Sequence, residues 1–226
     1  MRILALETST EYCSVALWQA GEISGRSELA GQRHSEILMD MMDAVLADAG
    51  VTLQQLDGLA FGRGPGSFTG VRIACGVAQG LAIGADIPVV GVCTLAALAE
   101  ASGQDKVIAV LDARMGELYH AAYEKQAGEW REASAPCVCK PGDAPAVSGS
   151  GWHLLGSGVG VSPALLERYA GQLAAIDGSV APQASAIASL GAREIRRGAG
   201  LDAAQALPLY VRDKVALTTA ERLCAK

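Results

Sequence analysis

Apolar residues gather in short dense runs at the start of the chain. The stretches 2–7 (RILALE) and 12–18 (YCSVALW) each read as a strand, and after the turn QAGE a third runs from Glu22 to Glu28. Consecutive strands followed by a helical period predict the opening of an α/β or mixed-sheet domain. The period then changes: HSEILMDMMDAVLADAG predicts a helix over about 33–49 that ends at Gly50, a residue suited to the position just past a helix. Its apolar residues, from Ile37 to Ala49, spread over an arc of about 200°, whereas covering one sheet takes a stripe of about 100° or somewhat more. Something beyond the domain's own sheet is therefore expected to cover the second shoulder, Met39, Met42 and Leu46.

LDGLAFGRGPG predicts a strand running into a loop, and SFTGVRIACGVAQGLAIGA the helix behind it, with Ser67 as N-cap. DIPVVGV is the next strand, and Thr94 is placed as the cap of a short alanine-rich helix reaching about Ser102. The pattern then restarts. KVIAVLDARMGELYHAAYE predicts two strands around a turn at Arg114–Gly116, and GEW begins another. Two readings of this repetition stand, an internal duplication of one fold unit or a coincidence of order. Residues 134–151, rich in Pro, Gly, Ser and Ala, read as loop. Helices are predicted at about 163–170 and 184–199, and LPLYVRDKVA as a closing extended segment.

Composition narrows the function classes. The chain is half apolar, carries 27 glycines in 226 residues and has a net charge of −6. Glycine at about 12% exceeds the usual 7% or so, which points to tight turns and close backbone packing. An acidic chain lacks the basic footprint that holds nucleic acid alone, so an RNA role needs partners that supply cations. Glu7 interrupts what would be a signal peptide's apolar core, so secretion is not expected. Gly76–Ala101, the most apolar region, is broken by Gln79, Asp86 and Pro88 and is not read as a membrane span. The cysteines at 13, 75, 93, 137, 139 and 224 form no C-x-x-C pair, and the three histidines (34, 120, 153) form no H-E-x-x-H. Buried thiols and the absence of a zinc site are the expectation.

Two stretches carry the candidate chemistry. GRGPGSFTGVR, residues 62–72, leads into a helix N-terminus, where unpaired N–H groups can hold an anion. It lacks the lysine of G-x-x-x-x-G-K-[ST] and the spacing of G-x-G-x-x-G. The loop is thus either an anion cradle or a turn that sets the helix. Behind it, Gly76, Gly80 and Gly84 recur every four residues, as do Gly70, Ala74, Ala78 and Ala82. Glycine inside a helix costs up to about 1 kcal/mol against alanine. Packing on the domain's own sheet or on a partner's helix would each compensate, because missing side chains let helices approach closely. The second is preferred here: the loop delivers a docking helix. The turn LETST (6–10) carries a carboxylate and hydroxyls between two strands, and Asp112 with Gly116 stands at the corresponding turn of the second block. His34 serves the first turn of its helix. G-x-S-x-G is not met by GPGSFTG, and no catalytic residue is assigned.

Together, ILALETSTEYCSVAL, RHSEILMDMMDAVL, FGRGPGSFTGVRIACGVAQGLA, IPVVGVCTLAALA, VLDARMGELYHAAY and PLYVRDKVAL resemble the TsaB family of bacteria, formerly YeaZ. The likeness runs nearly end to end and thins over about 130–205. It implies an actin-like ATPase fold of two ribonuclease-H-like lobes, 1–103 and 104–206, with 207–226 returning to the first. The family is the non-catalytic partner in threonylcarbamoyladenosine tRNA modification. Its catalytic paralogue TsaD carries a metal-binding H-x-x-x-H helix after the strand matching IPVVGV; here that segment is CTLAALAE. The resemblance implies a heterodimer with TsaD through helices about 33–49 and 67–84, a homodimer when alone, recruitment of the ATPase TsaE, and tRNA met only through the complex. It also implies a cytoplasmic location, with ATP and metal left to partner subunits. Interface candidates are His34, Leu38, Met39, Met42, Leu46, Gly70, Ala74, Val77 and Leu81. Thr8, Ser9 and Asp112 are the candidates for a vestigial nucleotide site. An independent ATPase or kinase would place nucleotide by those three and the 155–160 loop. A peptidase needs a metal pair or an activated nucleophile, and neither is found.

Overall fold

The computed structural model describes residues 1–212, so the end of the extended segment LPLYVRDKVA and of the returning segment 207–226 lies outside the described residues. The described residues form two five-stranded sheets. The first holds β1 (Arg2–Glu7), β2 (Tyr12–Gln19), β3 (Glu22–Leu29), β4 (Gly58–Gly62) and β5 (Val89–Val92) in the order β3-β2-β1-β4-β5. β1 runs antiparallel to β2 and parallel to β4. The second holds β6 (Lys106–Asp112), β7 (Leu118–Gln126), β8 (Glu129–Cys139), β9 (Trp152–Leu155) and β10 (Leu173–Asp177) in the order β8-β7-β6-β9-β10. β6 is antiparallel to β7 and parallel to β9. Strand for strand, both sheets have one topology. The repetition in the sequence is a duplication of one fold unit.

Five helices cover these sheets: α1 (His34–Asp48), α2 (Phe68–Ala85), α3 (Thr94–Ala101), α4 (Ala164–Arg168) and α5 (Ala184–Arg196). β1 reads as an unbroken apolar run because both of its faces are buried. Leu4 and Leu6 join the core beneath α1 and α2, while Ile3 and Ala5 meet Ala184, Ile187 and Ala188 of α5. β6 repeats the device, with Val107 and Ala109 against Leu95 and Leu98 of α3, and Ile108 and Val110 on the opposite face. Helices α3 and α5 thus each pack on the sheet of the other half. Glu100 of α3 ties them together. It accepts bonds from Trp130 Nε1 (2.7 Å) and Ser189 Oγ (2.8 Å), and pairs with Arg193 (2.7 Å) and Lys125 (3.6 Å). Burial alone would push its carboxyl up, but these partners hold it below the usual range.

Two local expectations are corrected, and two strands the sequence did not announce are added. Residues 134–139 belong to β8 rather than to a loop. Pro136 is tolerated there because β8 is an edge strand, where a missing N–H need not break a ladder. β9 and β10 are only four and five residues long, too short to announce a period. Thr94 is the first residue of α3 and not its cap; its buried Oγ1 has no hydrogen-bond partner, and Cys93 holds the cap position.

Candidate functional site: a helix pair beside an interlobe cleft

The loop 62–72 presses against the turn between β1 and β2. Ser67 N–H donates to Ser9 O (2.7 Å), Thr8 Oγ1 donates to Gly70 O (2.7 Å), and Ser67 Oγ caps α2 by accepting from Gly70 N–H (3.3 Å). Glycine is required where the two segments touch: a Cβ on Gly66 would lie 2.5 Å from Ser9 O, and one on Gly70 would overlap Thr8 O. On the far side, Thr94 N–H donates to Gly64 O (2.9 Å) and Leu209 N–H to Arg63 O (2.7 Å). The N–H groups of Ser67 and Gly70 are spent on fastening the loop, and the carbonyls of Arg63 and Gly64 are tied from the far side. Its geometry is that of a strut that fixes where α2 begins.

Glu7 lies under this strut, fully buried. Its Oε1 accepts from Ser9 N–H (2.5 Å), and its Oε2 has no partner and faces the bare Cα of Gly62. Burial pushes its carboxyl up, an effect only partly offset by the bonds from Ser9. Of the three candidates for nucleotide contact, Thr8 is turned into the strut and does not reach open space, which corrects its placement. Ser9 and Asp112 do line one cleft, of about 890 Å³, between the two halves. Asp112 is engaged by its own turn, its Oδ1 accepting from Arg114 N–H (2.7 Å) and its Oδ2 pairing with the guanidinium (3.2 Å).

The interface candidates divide into two sets. Leu38, Met42 and Leu46 of α1, with Ala74 of α2, are buried in the core above β1 and β4. Gly70 is buried against Thr8, and buried His34 sets its Nε2 3.2 Å from Tyr12 O. These six residues serve the monomer's own packing. The wide apolar arc of α1 is explained at Met42 and Leu46 by the shared core with α2, not by an outside partner. Met39 remains, 42% exposed, while Val77 and Leu81 are half-buried at the core's edge.

The two small-residue lines of α2 face opposite ways. Gly70, Ala74, Ala78 and Ala82 turn inward, whereas Gly76, Gly80 and Gly84 are exposed, and a Cβ on any of these three would meet nothing among the described residues. Beside that bare line stands Ile83, 70% exposed. By length and apolarity α2 would also suffice to cross a membrane, but its alanine line is packed on the first sheet. Gly76, Gly80 and Gly84, singled out by their spacing, and Ile83 form an exposed line that the nine interface candidates do not include. Their four-residue spacing was readable, but the direction in which they point was not.

A family model described as TsaD, tRNA N6-adenosine threonylcarbamoyltransferase, matches residues 27–217. The tRNA threonylcarbamoyladenosine biosynthesis protein TsaB of Escherichia coli (strain K12) is 38% identical over 226 residues, covering 96% of each chain. The chain belongs to the TsaB (YeaZ) family. A TsaB from Haemophilus influenzae is 46% identical over 153 residues, spanning 62% of this chain and 65% of that protein. The solved structure of YeaZ from Pseudomonas aeruginosa superposes with a TM-score of 0.86 at 42% identity, covering 92% of this chain and 99% of that one. A second P. aeruginosa structure, described as similar to peptidase YEAZ, gives 0.87 at 41%, covering 93% and 99%. The fold is accordingly of the actin-like ATPase class with two ribonuclease-H-like lobes. Among the described residues, no three His, Cys, Asp or Glu side chains gather where they could hold a metal.

Proposed function

We propose that this chain is a non-catalytic subunit of the machinery that transfers a threonylcarbamoyl group to N6 of adenosine 37 in tRNAs reading codons that begin with A. In this reading it docks on a TsaD paralogue through the outer face of α1 and α2 and helps recruit TsaE. Alone, it pairs with a second copy through the same face. The protein works in the cytoplasm, and ATP and metal are held by the partner subunits. One observation carries the reading: three glycines on one line of an 18-residue helix face open space. Each costs helix stability of up to about 1 kcal/mol, and no packing among the described residues repays it. A partner helix approaching to the short end of the 8–10 Å interaxial range would. Helix α3 supplies no histidine where the paralogue carries its metal ligands, which supports a role without its own chemistry.

Gly80→Leu tests the proposal. The variant should keep its circular dichroism and melting curve while losing both the homodimer and the TsaD complex in size-exclusion chromatography. Normal assembly would refute the docking face. A second reading, an independent actin-like ATPase or kinase, draws on the cleft that Ser9 and Asp112 share. Calorimetry with ATP and magnesium on the isolated chain separates the two, since micromolar affinity with turnover would favour the enzyme.

A further inference from the structure

The mouth of the interlobe cleft carries side chains that neither the fold nor the docking face uses. Phe68, at the start of α2, is 58% exposed, and so is Tyr210 on the segment that runs along α2 into the cleft wall. The Arg72 guanidinium lies 3.3 Å over the Phe68 ring and 5.0 Å from the centre of Tyr210, so two aromatic rings and a cation form one cluster. Across the opening, Arg114 and Met115 occupy the turn between β6 and β7 with φ of 65° and 57°, left-handed conformations that non-glycine residues seldom adopt. Asp112 and Arg212 hold that turn in place, Arg212 by bonding Ala113 O (3.0 Å) and pairing with Glu117 (2.8 Å). Conformations of this kind, where their surroundings hold them, cluster at binding and active sites. Here the turn presents Arg114 and Met115, the latter 71% exposed, toward the cleft.

The charge of this opening runs against that of the molecule. Arg72, Arg114 and Arg212 line it against Glu11 and Asp112, in a chain whose net charge is −6. Aromatic faces beside guanidinium groups in a cationic groove take unpaired bases by stacking and their phosphodiesters by charge. A nucleoside triphosphate with its metal fits less well, because both oxygens of Asp112 are on Arg114 and the β1–β2 turn is fastened to the strut. We propose that the cleft mouth receives single-stranded RNA, with an unstacked base against Phe68 and Tyr210 and its phosphate near Arg72 and Arg114. This rests on the reading of the chain as a subunit of a tRNA-modifying complex, and adds that the subunit itself touches the RNA.

The test uses the assembled complex with the TsaD homologue, and as probe a fluorescent anticodon stem–loop that reads a codon beginning with A. Phe68→Ala/Tyr210→Ala should assemble normally and bind the probe about tenfold more weakly, the scale of one lost base stack. Tyr210→Phe, which keeps the ring, should bind like the parent. Arg114→Gln should make the salt dependence of binding shallower by about one unit of slope. Unchanged affinity in the double alanine variant would overturn the inference and leave the subunit assignment standing. So would loss of assembly in that variant, which would give these rings to the subunit contact. Failure of the parent protein to assemble at all would sink both.

Discussion

The two lobes share a strand topology and differ in what connects the strands. In the first, the links between β3 and β4 and between β4 and β5 contain α1, of 15 residues, and α2, of 18. In the second, the link between β8 and β9 contains only the three-residue turn Pro141–Asp143, and that between β9 and β10 a four-residue turn and α4, of five residues. A sheet needs its face covered, and the second lobe achieves this with little helix, using Leu165 and Tyr169 of α4 and its flank. The length of α2 in the first lobe therefore exceeds what burial of the sheet demands. Its outer glycine line is left uncovered by the described residues, and the contrast places the proposed docking face in the lobe with the longer helices.

Four measurements would break or sharpen that contrast. Bulk on the outer line should do the most damage to assembly: Gly80→Leu should weaken the complex about a hundredfold, the upper end of overpacking costs near 3 kcal/mol. The matching insult in the second lobe, Glu167→Leu on α4, should leave assembly unchanged. If both variants assemble alike, the asymmetry of the lobes has nothing to do with docking.

Acid should find its weak point in the second lobe. His120 is fully buried on β7. Tyr169 gives its hydroxyl proton to Pro145 O (2.7 Å), so His120 Nε2 must donate to the tyrosine oxygen (2.7 Å), which leaves Nδ1 unprotonated and without a partner. Burial, with Arg168 adding to it, holds the imidazole down at about 4, against an ordinary value of 6.5. The folded state thus favours the neutral ring. Its contribution is present above pH 6.5, fades as the unfolded chain takes up the proton, and is lost as pH falls through about 4. The loss amounts to about 3 kcal/mol. Denaturant titrations at pH 7 and pH 4 should show it, and His120→Gln, which keeps a donor for Tyr169, should remove most of that pH dependence.

The remaining two predictions set the inner and outer lines of α2 against each other with one substitution. Gly70→Ala places a methyl group into the Thr8 carbonyl and should cost about 2 kcal/mol, lowering the melting temperature by about 4–8 °C for a chain of this size. Gly76→Ala meets nothing and should stabilise the isolated chain by about 1 kcal/mol or slightly less through helix propensity. Equal signs for the two would mean that the helix is not oriented as described.

Much of the first lobe was legible. Dense apolar runs marked β1 and β2, Gly50 marked the end of α1, and Ser67 marked the start of α2, because these signals act within a few residues of one another. The second lobe was harder to read. β9 and β10 are too short for a period, and Pro136 disguised an edge strand whose tolerance for proline depends on having no neighbour on one side. That six of the nine interface candidates are buried within the monomer was hidden for a related reason. A helical wheel reports which residues share a face but not how many neighbours cover it, so Met42 and Leu46, shared with α2 in one core, looked like surplus apolar surface. Thr8 seemed free to meet a phosphate until the strut closed over it.

What the amino-acid order determined alone was local and periodic: the strand runs of the first lobe, the cap at Ser67 and the helix end at Gly50, the four-residue spacing of small side chains and the missing histidines of α3. These follow from interactions between residues a few positions apart. Only the tertiary structure decided which line of α2 faces the sheet and which faces open space, and that Ser9 and Asp112 meet across a cleft while Thr8 does not. Direction and coincidence in space depend on contacts between segments distant in the chain, such as Thr8 with Gly70, and no period within one segment encodes them.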